Sequence, residues 1–158
     1  MQTDNALLIL RIFHASMVLF LISFGGVILY LQQFVDINPI LMFNEWIRYS
    51  ILLIIVVIIW FSNRIYKNRL LYAAGREELV TKLNHYRMAY IFRMSLVELS
   101  AIIPLIGYFV TGRIIFFIYA VVPFIYLLFI FPTIGKVLND LELSADESHR
   151  LENKLNSQ

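Results

Sequence analysis

Four long apolar stretches, at about residues 6–33, 46–66, 88–110 and 113–132, constrain this chain more than anything else in it. About 20 apolar residues, rising 1.5 Å each, cross the hydrocarbon core of a bilayer. Every stretch meets or nearly meets that length. The 158 residues are 60% hydrophobic and 15% charged, where soluble domains carry roughly 25% charge. A core of this size cannot hide that excess, and a water-soluble fold would expose large, aggregating apolar patches. The expected fold is all-α: a four-transmembrane-helix bundle over residues 1–135, made of two antiparallel hairpins. A polar cytoplasmic tail follows over residues 136–158.

Local signals set the boundaries. Asp4 or Asn5 can cap the first helix. Pro39 stops any continuation through the loop after Gln33. The run from Ile51 to Ile59 is rich in β-branched residues, yet an open strand in lipid would leave its backbone unpaired, so helix is expected. Trp46 and Trp60 stand near the two ends of that span, where indole rings favour the interface. Residues 63–87 are charged, and Leu71, Leu79 and Leu83 recur at multiples of four, so the stretch reads as largely helical with a break at Gly75. Only Thr111-Gly112-Arg113 links the third and fourth spans, which forces a hairpin. Pro104 and Pro123 lie inside these spans, and Pro132 ends the last one. Ser144 to Glu147 is a capping-box pattern that predicts a short amphipathic helix carrying Leu151 and Leu155.

Charge sets the expected orientation. One side of a four-span protein holds the basic 63–87 loop, Lys136, Arg150 and Lys154. The other offers only Arg48 and Arg113. Lys and Arg favour the cytoplasm, so both termini are expected there, in a bacterial inner membrane. The N-terminus lacks the basic region and cleavage site of a signal peptide, so the first span reads as retained.

Parts of the two halves match. Ile12-Phe13, Ser16 and Val18 correspond to Ile91-Phe92, Ser95 and Val97, each pair 79 positions apart, and Gly25 then falls on Pro104. Arg48 with Val56-Val57 similarly falls on Arg113 with Val121-Val122. Such matches arise easily in apolar sequence. If the duplication is real, the two hairpins run parallel.

Glu98 is the costliest residue. About ten residues into the third span, it sits roughly 15 Å deep, where a charge costs at least about 2.5–3.5 kcal/mol. Ser95 shares its face. His14, with Arg11 one turn shallower, is the candidate partner from the first span, whereas Arg93 points away and is expected to snorkel. A Glu98–His14 pair could carry or gate a proton, or it could be a structural clasp between the first and third helices. Small residues mark expected packing seams: Ser16, Ser23 and Gly26 on the first helix, Ser100 and Gly107 on the third.

The chemistry excluded is broad. Without cysteine there is no disulfide, thiolate site or cysteine nucleophile. His14, His85 and His149 do not pair at matching depth for haem. No phosphate-cradling loop, metal spacing or nucleophile motif occurs. The chain is read as a non-enzyme without cofactor or nucleic-acid partner. Its expected partners are the bilayer and a membrane protein or a second copy, and its basic loop suits anionic headgroups.

The stretch from Tyr86 through Glu98, then Gly107-Tyr-Phe-Val-Thr-Gly112, then Phe131-Pro-Thr to Leu143, resembles a group of small four-helix membrane proteins of Bacteroidota. The likeness covers about the C-terminal half. It implies an integral membrane protein and carries no activity with it. Rotor proteolipids of ion-driven ATPases also use hairpins with a midplane acid, but this chain lacks their glycine seams and places its acid on the first helix of its hairpin.

Overall fold

A computed structural model describes residues 6–34, 45–76 and 79–141. Within them lie α1 (Ala6–Phe34), α2 (Glu45–Ala74), α3 (Leu79–Thr111), α4 (Ile114–Phe129) and α5 (Ile134–Asp140). The described residues contain no strand. Three helices, α1 to α3, are long and apolar enough to cross a membrane, and α4 is a shorter apolar helix. The capping-box helix at 144–158 and the proposed caps Asp4 and Asn5 lie outside the described residues.

Helix α3 is the hub, packed against α1, α2 and α4. Side-chain bonds fix the directions. His14 meets Tyr90, and Gln32 meets Tyr108 and Phe109, so α1 runs parallel to α3. Ser62 meets the Arg93 carbonyl, while Ile51 lies by Gly107, so α2 runs antiparallel. Helix α4 returns antiparallel too, with Phe116 beside Gly107 and Tyr126 beside Arg93. The two hairpins are therefore parallel to each other. His14–Tyr90 and Gln32–Tyr108 are both separated by 76 positions, against 79 for the sequence match. Matched residues thus sit within one helical turn of equal depth, about 4.5 Å.

Periodicity explains the buried faces. Leu7, Leu10, His14, Met17, Leu21, Gly25 and Ile28 are the buried residues of α1, spaced by threes and fours. Ser16, Ser23 and Gly26, the small residues expected to mark a seam on α1, are exposed within the chain. Ser100 is buried and bonds back to the Val97 carbonyl. Gly107 meets the Phe116 ring, 3.4 Å from where a Cβ would lie.

Several boundaries differ from the apolar runs. Helix α2 continues past Tyr66 to Ala74, and α3 begins at Leu79, well before Met88. Backbone bonding does not stop where the apolar run stops, so both helices extend through charged residues to flank Gly75. Pro104 and Pro123 lie inside α3 and α4, which continue through them. Gly112, at φ 65°, makes the α3–α4 turn, a conformation that costs other residues about 1–2 kcal/mol. At that turn Gln32 donates to the Tyr108 and Phe109 carbonyls at 2.9 and 2.8 Å, satisfying the end of α3.

Candidate functional site: a tyrosine and arginine cluster where the fourth helix ends

Helix α4 has 16 residues, about 24 Å, less than the roughly 30 Å of a hydrocarbon core. Its last carbonyls therefore need partners. Lys136 Nζ donates to the Phe129 and Phe131 carbonyls at 2.8 and 3.1 Å. Tyr90 donates to Ile130 at 2.8 Å, and Arg11 Nε to Pro132 at 3.4 Å. All four consecutive carbonyls from Phe129 to Pro132 are taken by side chains drawn from α1, α3 and α5.

His14 belongs to this arrangement. Its Nδ1 lies 3.0 Å from the Tyr90 hydroxyl. A phenol has one proton to give, and Tyr90 gives it to Ile130. His14 Nδ1 is therefore the donor to Tyr90, which assigns its tautomer. The Phe131 ring meets the imidazole edge-on at 5.1 Å. Glu98 lies eight residues further along α3 than Tyr90, about 12 Å deeper. It is partly buried and makes no hydrogen bond or ion pair among the described residues. The structure thus brings His14 and Arg11 together around the end of α4 and leaves Glu98 apart from both. Ser95 is exposed and bonds back to the Ile91 carbonyl.

Beside this clasp, α2, α3, α4 and α5 enclose a cavity of about 420 Å³. Arg93 is its centre. It donates to the Tyr126 hydroxyl at 2.6 Å, and Tyr126 passes its own proton to Asn63 Oδ1 at 2.7 Å. The guanidinium carbon lies 4.5 Å from the Tyr66 ring centroid, a cation–π distance. Tyr66 donates to Asp140 Oδ2 at 2.7 Å, tying α2 to α5. Tyr86 and Tyr90 stack one turn apart on α3, both 2% exposed. Arg93 Nε is buried without a hydrogen-bond partner, and the guanidinium makes no ion pair among the described residues.

From the sequence, Arg93 is expected to snorkel. The missed signal was on α3, where Tyr86, Tyr90 and Arg93 recur at four- and three-residue spacing and so share a face. Helix α5 was missed as well. Thr133 caps it, accepting from the Lys136 backbone N–H, and Val137 and Leu141 bury into the main core. Among the described residues there is no group of three His, Cys, Asp or Glu able to hold a metal.

No family model, curated protein or solved structure matches the chain. What the fold and site define, among the described residues, is an all-helical protein with three helices long and apolar enough to cross a membrane and a tyrosine-lined cationic cavity.

Proposed function

We propose that this protein is a small, non-enzymatic, multi-pass accessory subunit of the bacterial inner membrane, crossing four times with both termini cytoplasmic. One observation carries the reading. The most apolar window of α2 is only 17% buried within the protein, leaving Leu53, Val56, Val57, Trp60 and Phe61 outward. A helix so bare must be solvated by lipid or by another membrane helix. The clasped carbonyls at 129–132 support a fourth crossing, since they satisfy the backbone where a short α4 reaches the interface. The basic residues of 63–87 and Lys136 share one end and support the orientation.

A proton-coupled element built on Glu98 and His14 is the rival. The hydrogen bonds favour the clasp. His14 leads to Tyr90, and Tyr90 leads to a backbone carbonyl, which cannot accept and pass on a proton.

The test has two arms. A fluorescent reporter fused after Gln158 is expected to be active, and a periplasmic phosphatase at the same point inactive; the reverse pattern overturns the orientation. Protein in liposomes is expected to carry no proton flux. A flux lost in Glu98→Gln would overturn the accessory reading.

A further inference from the structure

We propose that the cavity around Arg93 binds the phosphate headgroup of an anionic membrane amphiphile. The proposal rests on the membrane-embedded reading above, and names a ligand for a site that reading does not use.

Charge is the first argument. Arg93, Lys67 and Lys136 line the cavity against a single carboxylate, Asp140. Asp140 is already held by Tyr66, and it is not within ion-pair distance of Arg93. Among the described residues Arg93 therefore has its charge drawn into the protein, one nitrogen buried without a hydrogen-bond partner, and the neutral Tyr66 and Tyr126 directly against it. A half-buried cation without a counter-charge is costly, and a guanidinium is shaped to take two phosphate oxygens side by side. An anion entering the cavity supplies what the chain's own described residues do not.

Depth is the second argument. Arg93 lies 18 residues before Thr111 on α3, about 27 Å from the α3–α4 turn. With that turn at one boundary, Arg93 is at the other, where lipid phosphates sit. Lys67 lies exposed at the rim, and Lys136 is also exposed.

Shape is the third. The walls are polar, but Leu70, Phe129 and Ile130 also line the cavity, and Phe129 is 75% exposed. Helices α2 and α4 barely touch, whereas each packs closely on α3. That leaves a route for an acyl chain to run from the headgroup into the bilayer. About 420 Å³ is the scale of a small-ligand site and accommodates a phosphoglycerol group.

Full-length protein, purified in mild detergent, is tested by native mass spectrometry against equimolar phosphatidylglycerol and phosphatidylcholine. Wild type is expected to retain one phosphatidylglycerol with at least about tenfold preference, the scale of charge-assisted hydrogen bonds. Arg93→Gln and, more mildly, Tyr126→Phe are expected to reduce that preference. Arg76→Gln, which stacks on Tyr72 outside the cavity, is expected to leave it intact. Equal retention of the two lipids by wild type overturns the proposal. So does an equal loss in Arg76→Gln, which would assign the preference to the basic loop as a whole. Should Arg93→Gln fail to fold, Lys67→Gln and Tyr126→Phe decide the matter by the same comparison. Inorganic phosphate alone, added with phosphatidylcholine only, is expected to leave the melting temperature unchanged; stabilisation by it would move the assignment from lipid headgroup to free anion. Monodisperse protein in plain buffer would instead remove the membrane reading beneath the proposal, a separate outcome.

Discussion

The two ends of the α1–α3 pair are held by different means from its middle. At one end His14, Tyr90, Arg11 and Lys136 tie three helices around the end of α4, above a large core cluster that includes Met94, Val97 and Leu127. At the other, Gln32 grips the end of α3. Between them, next to a small cluster of Ile28, Leu105 and Ala120, lies an apolar crevice of about 510 Å³ lined by Gly25, Ala101, Phe117 and Ala120. The difference teaches where specificity resides in lipid. Acyl chains are as apolar as leucine, so burying leucine gives no hydrophobic drive between helices. Register is set by hydrogen bonds that lipid cannot replace, and the apolar middle is free to be loosely packed.

The contrast can be broken by mutation. Met94→Ala removes a fully buried side chain from the large cluster and is expected to cost about 2–4 kcal/mol in denaturant-induced unfolding from mixed micelles. Leu105→Ala, beside the crevice, is expected to cost clearly less; equal losses would show that the two regions are packed alike. Tyr90→Phe leaves both the Ile130 carbonyl and His14 without their partner, and should lower stability by about 1–3 kcal/mol, with faster amide exchange after Phe129. Gln32→Met, which frees the carbonyls at the end of α3, should cost less than about 1.7 kcal/mol, the upper range for bonds between membrane helices. The smallest effect has the opposite sign. A Cβ at Gly25 would meet nothing within 4 Å, so Gly25→Ala should raise the unfolding free energy by about 0.5–1 kcal/mol through helix propensity, and the midpoint with it. A lowered midpoint would mean that the crevice is closed more tightly than this packing.

Much of the fold was legible because it is local. The hydropathy of α1, α2 and α3 is written in windows of about 20 residues. The Gly112 turn and the break at Gly75 follow from residues that favour special backbone geometry or end helices. Parallel hairpins were expected only if the duplication is real, and the bonds between α1 and α3 set that orientation. The site was less legible. His14 was singled out because it is polar in an apolar run, but its partner proved to be Tyr90 rather than Glu98, since both the tyrosine spacing and the acid were compatible with the same face of α1. Ser16, Ser23 and Gly26 share a small-residue face of α1, while within the chain α1 turns its Leu and Met stripe inward. Small residues permit close approach; they do not by themselves select it.

The sequence determined that the chain is helical and oily, roughly where its helices turn, and which end carries positive charge, because each of these depends on neighbours within a few turns. Tertiary structure alone decided that Asn63, Tyr66, Arg93, Tyr126 and Asp140 form one cavity. Those residues come from four helices spread over half the chain, and a guanidinium finds its tyrosines only after the helices have chosen their faces and depths.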